Sequence, residues 1–377
     1  MAGTGTASLR PVDDDTVLRV ENLVVEFPIG RTGLIVSAVS GISLDVRRGE
    51  TLGIVGESGC GKTTTGRAVM QLPRPTSGSV RFEGVDLTSL STKDMRAART
   101  KMQMIFQDPI SSLNPRRSVR DIVREPLDIW ERGTKAERGD IVDRLLEEVG
   151  IDPQRAAESR PHQFSGGQCQ RISIARSLVL DPTMIICDEP VSALDVSVQA
   201  QVLNLLEDLK ERHRLTLVFI AHDLAVVKNI SDRVAVMYLG KVCEVSPSDE
   251  LYAAPAHPYT KVLLDSIPVP DPFVAPAELP ISGEPPSPVL PPPGCRFHTR
   301  CPFASEVCRT DEPMLRPVSD GSEHVVACHH PLVTSVGLAG AETVPQSAAT
   351  VASNGDRRDD VLDPDGSKHA DRSDAGA

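Results

Sequence analysis

The sequence has no excess of basic side chains. Its 40 lysines and arginines are outnumbered by 52 aspartates and glutamates, and the formal net charge over 377 residues is −12. A protein that follows a nucleic-acid backbone usually carries the opposite balance. We therefore expect no nucleic-acid partner.

Long apolar runs are absent as well. A helix that spans a bilayer needs about 18 or more apolar residues, whereas the longest strong run, Leu215 to Ala221, has the length of a buried strand. Residues 1–16 are small and acidic and lack the basic start and apolar block of a secretory signal, so we expect a cytosolic compartment. In that compartment disulfides between the eight cysteines are not expected.

A glycine-rich segment gives the first indication of chemistry. Residues 56–63 match the phosphate loop G-x-x-x-x-G-K-[ST], in which backbone N–H groups surround phosphates at a helix N-terminus. Lys62 adds a positive charge, and Thr63 adds a hydroxyl for Mg²⁺. The apolar strand 51–55 leads directly into the loop, which is the strand–loop–helix context that such a loop requires.

Five further motifs follow the loop. In chain order they are Met-Ile-Phe-Gln-Asp-Pro at 104–109, Phe-Ser-Gly-Gly-Gln at 164–168, Ile-Ile-Cys-Asp-Glu at 185–189, Ser-Ala-Leu-Asp at 192–195 and Ile-Ala-His-Asp at 220–223. Together with the loop, this set resembles the motifs of ABC-type ATPases, and the resemblance extends over residues 18–330. It implies an enzyme that hydrolyses ATP with Mg²⁺.

The resemblance also implies roles for individual residues. The implied ATP-binding residues of the loop are Gly56, Glu57, Ser58, Gly59, Cys60, Gly61, Lys62, Thr63 and Thr64. The implied Mg²⁺ ligands are Thr63, Gln107 and Asp188. Glu189 is the implied catalytic base, with His222 at the γ-phosphate and Gln107 as the third catalytic residue. Phe27 is the expected adenine-stacking aromatic, and a place in the core is the alternative for it.

A second anion site is expected where the Ser-Gly-Gly-Gln motif begins a helix. Its residues are Ser165, Gly166, Gly167 and Gln168. By resemblance, this site faces the γ-phosphate that an opposite subunit binds. The chain carries one copy of each motif, so it is implied to pair with itself or with a sister ATPase subunit.

The spacing of apolar residues predicts an α/β fold. Clustered β-branched residues in 17–55 predict a small antiparallel β-subdomain, and three- and four-residue spacing in 141–149 predicts a helix within an insert at about 109–160. Gly150 is the expected stop of that helix. Short apolar runs then alternate with helices, which predicts a mainly parallel core sheet. The resemblance implies the same architecture, an ABC-type P-loop ATPase with a mixed sheet and a helical subdomain.

Composition suggests how the chain is divided. We expect a flexible N-terminus at 1–16, the ATPase domain at 17–250, an irregular Cys-rich extension at 251–334 and a disordered tail at 335–377. Residues 255–317 hold 16 of the 31 prolines, so this stretch should be loop-like, without continuous helices.

Four of the eight cysteines lie within the extension, at Cys295, Cys301, Cys308 and Cys328. The Pro-rich segment around them is unlikely to bury a core unaided, and the spacing lacks the C-x2–4-C pairs of most zinc sites. The wide spacing favours a [4Fe–4S] cluster, whose ligands can come from separated turns. Zinc is the first alternative, and unligated or disulfide-bonded cysteines are the second. The other cysteines, at 60, 169, 187 and 243, are expected to be packing residues.

Narrower features resemble the ATPase subunits of oligopeptide and dipeptide importers, in particular the F-type subunit. They are the segment from Phe106 to Pro115, the segment from Cys187 to Ser197 and the segment His257-Pro258-Tyr259-Thr260. The resemblance to this group also implies the set of four cysteines in the extension. The implied partners are a sister D-type ATPase subunit in a heterodimer, two membrane permeases and, indirectly, an extracytoplasmic peptide-binding protein. The implied location is peripheral, at the cytoplasmic face of the membrane. The alternatives are a nickel, glutathione or sugar importer and, more remotely, a soluble ABC ATPase acting on ribosomes or DNA.

Overall fold

The computed structural model describes residues 5–267 and 283–332. The predicted tail at 335–377 lies outside these residues, as do positions 1–4 and 268–282. In chain order the strands are β1 (Thr16–Pro28), β2 (Ile35–Arg47), β3 (Thr51–Val55), β4 (Ser77–Phe82), β5 (Val85–Asp86), β6 (Met102–Ile105), β7 (Met184–Asp188), β8 (Thr216–Ile220), β9 (Arg233–Tyr238), β10 (Lys241–Pro247), β11 (Arg316–Pro317) and β12 (Val325–Val326).

The α-helices lie between these strands and in the C-terminal part of the chain. They are α1 (Lys62–Val69), α2 (Thr92–Ala98), α3 (Pro109–Ser112), α4 (Val119–Ile129), α5 (Lys135–Glu148), α6 (Pro153–Glu158), α7 (Gly166–Leu178), α8 (Val196–His213), α9 (Leu224–Ile230), α10 (Ser248–Ala253), α11 (Pro258–Asp265) and α12 (Glu306–Thr310). Two short 3-10 turns, at Leu87–Ser89 and Pro161–Gln163, precede α2 and α7.

An antiparallel sheet of four strands, in the order β2–β1–β4–β5, forms the N-terminal layer. Along β1, Leu18 and Val20 are fully buried while Arg19 and Glu21 between them are partly exposed, which is the alternation of a strand with one face on a core. The antiparallel β-subdomain predicted from residues 17–55 is thus confirmed, with β4 and β5 as additional strands.

The second sheet has eight strands in the order β11–β12–β10–β9–β3–β8–β7–β6. The five from β9 to β6 are parallel, and β10, β11 and β12 are antiparallel additions at one end. Every residue of β3, β7 and β8 is buried, as expected for parallel strands covered by helices on both faces. The predicted mixed, mainly parallel core sheet is confirmed.

Successive residues of the core strands enter two different apolar clusters. In β7, Ile185 belongs to the apolar cluster that includes buried residues of α4, α5 and α7. Ile186 belongs to the cluster that includes buried residues of the antiparallel sheet. The helix α1 lies very close to the second face. A Cβ at Gly66 would be 2.8 Å from Cδ1 of Ile220 and 3.1 Å from Cγ2 of Ile186, so glycine permits this close packing.

The predicted helical insert at 109–160 contains α3 to α6. The helix predicted from apolar spacing is α5, which begins at the capping box of Thr134 and Glu137. It ends at Glu148, and Gly150 follows with a φ of +74°, the left-handed conformation of a helix C-terminus. Both the helix and its stop are therefore confirmed.

The prediction that residues 255–317 form no continuous helix is wrong for α11. This helix of eight residues begins at Pro258, where proline is tolerated because the first N–H of a helix has no intrahelical partner. Nδ1 of His257 caps it by accepting the N–H of Tyr259 at 3.0 Å. Elsewhere in the described part of this stretch, only α12 is helical.

A buried carboxylate joins the C-terminal segment, meaning residues 251–267 and 283–332, to the core sheet. Glu244 of β10 is fully buried, and its two oxygens accept the N–H groups of Ala256 at 2.7 Å and His257 at 2.9 Å. Its Oε1 also lies 2.6 Å from Nε2 of His324. Next to this carboxylate, Val245 of β10 pairs with Val325 of β12.

None of the helices within residues 5–267 and 283–332 combines the length and the apolar character that crossing a bilayer requires.

The burial of His257 predicts a pH-dependent stability. Burial disfavours the charged imidazolium and lowers the pKa of His257 from 6.5 to about 4, although the nearby Glu244 opposes the shift. Because the unfolded chain then binds more protons between these two values, the free energy of unfolding should decrease as the pH falls from about 7 to about 4, by up to about 3 kcal/mol. Urea unfolding at a series of pH values measures this.

The matched variant for this prediction is His257→Asn, which keeps a side-chain acceptor at the N-cap but does not titrate. Its free energy of unfolding should depend less steeply on pH between 7 and 5 than that of the wild type. Equal slopes would show that His257 does not carry the effect.

Candidate functional site

The glycine-rich loop connects β3 to α1, and neighbouring backbone leaves no room for side chains at two of its glycines. A Cβ at Gly56 would lie 2.1 Å from the carbonyl oxygen of Met237, and a Cβ at Gly61 would lie 2.3 Å from that of Ala38. Both glycines also have positive φ values, +150° and +105°. The loop is therefore fixed between β9 and β2, with Gly61 at the N-terminus of α1.

Lys62 is buried inside this loop. Its ammonium group donates to the carbonyl oxygens of Gly56 at 2.7 Å and Glu57 at 3.1 Å. These bonds hold the positive charge at the place where a phosphate loop receives the terminal phosphates of a nucleotide. The side chain of Cys60, by contrast, packs in the apolar core.

The end of β7 supplies the partner of Thr63. The hydroxyl of Thr63 donates to Oδ1 of Asp188 at 2.6 Å, and Oδ2 of this fully buried residue has no hydrogen-bond partner within the described part of the chain. Burial raises the pKa of Asp188, while the Thr63 hydroxyl and the guanidinium of Arg67 oppose the rise. The guanidinium of Arg67 lies 3.8 Å from Oδ2 of Asp188. A buried carboxylate oxygen without a hydrogen bond beside a threonine hydroxyl fits Mg²⁺, a hard cation that prefers oxygen ligands and keeps several waters.

The three predicted catalytic side chains meet at one carboxylate oxygen. Oε2 of Glu189 accepts Nε2–H of Gln107 at 3.0 Å and lies 3.3 Å from Nδ1 of His222. Glu189 has a φ of +48°, an uncommon conformation for a residue other than glycine, and its N–H donates to the carbonyl of Ile220 at 2.9 Å. The structure thus brings Gln107 to Glu189, although Gln107 was also predicted to bind Mg²⁺ with Thr63 and Asp188.

A cavity of about 420 Å³ connects the loop with these side chains. Its lining residues are Val36, Ala38, Ser58, Gly59, Gly61, Lys62, Thr63, Thr64, Gln107, Glu189, His222 and Pro288. Phe27, the predicted adenine-stacking residue, does not line it but pairs across the strands with Val36, which does. Phe27 is 39% exposed, and its stacking role remains a prediction.

Ser165, Gly166, Gly167 and Gln168 are not among the residues that line this cavity in the described structure. They form the exposed N-terminus of α7, where Ser165 and Gln168 make a reciprocal capping box with bonds of 3.0 and 3.3 Å. Gly167 allows close contact with α8, since a Cβ there would be 2.5 Å from Cγ1 of Val198. The second anion site is therefore separate from the loop within one chain.

Residues of the C-terminal segment also contact the site, which sequence reasoning did not anticipate. Pro288 lines the cavity, and its carbonyl accepts the N–H of Ser37 at 3.1 Å. Tyr259 and Arg300 both contact Glu57 of the loop. No local pattern marks Pro288 or Arg300 as part of a nucleotide site, and Tyr259 drew attention only as part of a resemblance.

The cysteines of the C-terminal segment lie near one another, and all eight cysteines are free thiols. Burial, together with the neighbouring thiols, raises the pKa of Cys295 to about 11 and that of Cys328 to about 12, although hydrogen bonds from backbone N–H groups oppose the rise. Backbone N–H groups two residues later contact three of the sulfurs, namely those of Cys295, Cys301 and Cys328. For Cys328 this N–H belongs to His330, 3.3 Å from the sulfur.

These thiols are not arranged as ligands of a single ion. Within residues 5–267 and 283–332, no group of three or more His, Cys, Asp or Glu side chains could hold a metal ion as placed. What the structure contains is a set of neighbouring sulfurs with backbone donors directed at them.

Fold and site together define a P-loop ATPase. Residues 39–192 match the ABC transporter family, and residues 243–308 match the C-terminal region of oligopeptide/dipeptide transporters. The chain is 49% identical over 343 residues to the probable peptide ABC transporter ATP-binding protein y4tS of Sinorhizobium fredii, covering 90% of this chain and 95% of the relative. It is also 49% identical to the oligopeptide transport ATP-binding protein AppF of Bacillus subtilis, covering 84% of this chain and 98% of the relative. The chain belongs to the family of ABC transporter ATP-binding proteins.

Solved structures agree with the fold. The dimeric ATP-binding cassette MJ0796, bound to ADP and Pi after hydrolysis, is 29% identical with a TM-score of 0.56, covering 61% of this chain and 98% of the other. The protein cbiO1 of Clostridium perfringens, part of the transporter complex cbiONQ, is 28% identical with a TM-score of 0.57, covering 63% and 91%. The predicted ABC-type fold is confirmed.

The contacts of Glu189 predict a variant that binds ATP without hydrolysing it. In Glu189→Gln the side chain keeps its size but loses the carboxylate that can orient or deprotonate water, so ATP turnover should fall by at least about 100-fold. Affinity for Mg-ATP should change by less than about threefold, because the phosphate-binding groups of the loop are untouched. Binding of a fluorescent ATP analogue and phosphate release measure the two quantities. Unchanged turnover would remove Glu189 from this role.

Proposed function

We propose that this chain is the ATP-hydrolysing subunit of a membrane importer of di- or oligopeptides. The observation that carries the proposal is the C-terminal segment, because residues 243–308 match the region described for oligopeptide/dipeptide transporters. The relatives from Sinorhizobium and Bacillus, a probable peptide transporter ATP-binding protein and an oligopeptide transport ATP-binding protein, agree with this interpretation. The peptide itself is bound by other subunits, so the substrate is assigned here only as a class.

The proposed reaction is attack of water on the γ-phosphate of ATP. Lys62 and the backbone N–H groups of the loop bind the phosphates, while Thr63, Asp188 and Gln107 provide oxygens for Mg²⁺. When bound, Mg²⁺ neutralises charge on the β- and γ-phosphate oxygens.

Glu189 would position the attacking water. In the described part of the chain, its contacts to Gln107 and His222 both end at Oε2, so Oε1 can accept a hydrogen bond from the water. His222 is 55% exposed in its side chain and lines the same cavity, where its other ring nitrogen can reach the γ-phosphate.

A partner ATPase subunit follows from the separation of the two anion sites. The exposed N-terminus of α7 offers Ser165 and the N–H groups of Gly166 and Gly167 to a phosphate that its own loop does not hold. We infer that the partner is a sister D-type ATPase. The N-terminus of α7 would contact the ATP in the phosphate loop of that partner, and the equivalent helix of the partner would contact the ATP bound here. Each ATP then lies between two chains, so binding joins them and hydrolysis releases them.

A groove beside the helical segment suits a permease. It has a volume of about 630 Å³, and its walls include Met70, Leu72, Phe106 and Gln107. Leu72 and Phe106 are 45% and 37% exposed and line the same groove, so together they offer apolar surface that a partner could cover. Because Gln107 both borders this groove and contacts Glu189, movement of a membrane subunit bound here would change the position of the catalytic carboxylate.

Bound to the permeases in this way, the chain would lie peripherally at the cytoplasmic face of the membrane. The peptide-binding protein would lie on the other side.

The proposal predicts peptide uptake that depends on this subunit. Vesicles that contain the permeases, the sister ATPase, this chain and enclosed Mg-ATP should accumulate a labelled di- or oligopeptide in the presence of the binding protein. The same vesicles with Glu189→Gln should show at least about a 100-fold lower rate, because only the hydrolysis step is removed.

A second arm of this experiment tests the pairing. Ser165→Glu is introduced in every subunit whose α7 faces a hydrolysis-competent ATP site. The new carboxylate places a negative charge against the γ-phosphate, so ATP turnover should be abolished while Mg-ATP still binds the loop. Uptake of nickel, glutathione or sugar instead of peptide would contradict the peptide assignment. Normal hydrolysis with Ser165→Glu would contradict the shared site.

We further propose that Cys295, Cys301, Cys308 and Cys328 hold a [4Fe–4S] cluster with a structural role. The donor chemistry supports this, because backbone N–H groups directed at sulfur stabilise thiolates and tune iron–sulfur clusters. Without such a partner, burial favours the neutral thiol, as the raised pKa values of Cys295 and Cys328 indicate. When bound, the cluster would supply four metal–thiolate bonds that connect these loops.

Anaerobic purification of the full chain should yield about four iron and four sulfide per chain. Cys308→Ser should lose most of both, whereas Cys169→Ala, which changes a buried thiol of α7 outside the set, should retain them. Zinc without sulfide would favour the alternative metal, and retention of iron and sulfide by Cys308→Ser would contradict the ligand assignment.

A further inference from the structure

Glu57, the second residue of the phosphate loop, forms hydrogen bonds through its N–H, its carbonyl oxygen and its carboxylate. Its carbonyl accepts Nζ–H of Lys62 at 3.1 Å and the N–H of Cys60 at 3.2 Å, both within the loop. Its N–H donates to the hydroxyl of Tyr259 at 2.8 Å, and its Oε2 accepts a guanidinium N–H of Arg300 at 2.9 Å. Two of these four partners therefore come from beyond the core sheet.

The contact to Arg300 is partly buried. The side chains of Arg300 and Glu57 are 8% and 26% exposed. The guanidinium also donates to the hydroxyl of Tyr238 at 3.3 Å and lies 5.8 Å from the centre of its ring. A charge-assisted bond at such a site is stronger than a surface ion pair, and removing one partner leaves the other poorly compensated.

Tyr259 is fixed in position by a cluster of aromatic rings. Tyr259 is fully buried, and its ring packs against those of Tyr238 and Phe297 with centroids 4.7 and 5.3 Å apart. Tyr238 and Phe297 are themselves 5.2 Å apart in an edge-to-face arrangement. Since Tyr238 belongs to β9 and the other two to the C-terminal segment, the hydroxyl of Tyr259 is fixed relative to the core sheet.

We propose that Arg300 and Tyr259 are positioning residues of the ATP site, which set the first turn of the phosphate loop through Glu57. The carbonyls of Gly56 and Glu57 hold the ammonium of Lys62, so the placement of Glu57 decides where that charge lies. Contact of Pro288 with the cavity places a third part of the same segment at the site. The inference concerns nucleotide binding alone and is independent of which substrate the transporter carries.

A double-mutant cycle on the full-length chain tests the proposal with Mg-ATP as the ligand. Arg300→Met and Glu57→Gln should each raise the Kd for Mg-ATP by about tenfold, and the double variant should be no weaker than either single variant, since both remove one interaction. In the assembled ATPase, KM should rise while kcat stays within about twofold, because the catalytic carboxylate is not touched. A purely structural role would instead lower the amount of active protein without this division between KM and kcat.

Tyr259→Phe covers the case in which Arg300→Met fails to fold. It removes one hydroxyl and leaves the aromatic packing, so the Kd should rise by about threefold to tenfold with little change in the melting temperature. The control is Arg309→Met, which changes an exposed arginine of α12. Among the described residues Arg309 forms an ion pair with Glu306 of the same helix, so this variant should leave the Kd unchanged. The proposal would be overturned if the increases in Kd caused by Arg300→Met and Glu57→Gln multiplied in the double variant. It would also be overturned if folded Arg300→Met and Tyr259→Phe both kept the wild-type Kd.

Discussion

The chemistry of this protein depends on the confinement of one short loop. Two carbonyl groups, those of Ala38 and Met237, approach the loop so closely that only glycine fits at positions 56 and 61. Ala38 belongs to the antiparallel sheet and Met237 to the core sheet. The loop can therefore take its phosphate-binding shape only where the two sheets meet, which makes the packing of both sheets a condition of activity.

The parallel order of the core strands then assembles the catalytic groups. The loop follows β3, His222 follows β8, Asp188 and Glu189 lie at the end of β7, and Gln107 follows β6. These four strands are neighbours in the order β3–β8–β7–β6, and parallel strands present their carboxyl ends at the same edge. Gln107, Glu189 and His222, which are distant in sequence, thus reach the cavity that the loop borders.

Those parts of the site that depend on short-range patterns could be predicted from the sequence. The loop glycines, the pair Asp188 and Glu189, and the helix stop at Gly150 each follow from a few adjacent residues whose geometry has a local cause. The contacts of Arg300 and Pro288 could not be predicted in this way, because they depend on how a proline-rich segment returns to the core, and such a segment has no periodicity. Helix α11 was missed for a related reason, since proline content suggested a loop although proline at a first helical position is compatible with a helix.

The buried carboxylate of Glu244 has a consequence for how this protein could have arisen. It accepts hydrogen bonds from two main-chain N–H groups and faces an imidazole, all supplied by residues that follow β10 in the chain. If those residues were deleted, the carboxylate would lose all three of these partners, and a carboxylate that stays buried without a donor is costly. Loss of either the acid at position 244 or its C-terminal partners would leave the other side with unsatisfied polar groups, so the two are expected to change together in evolution.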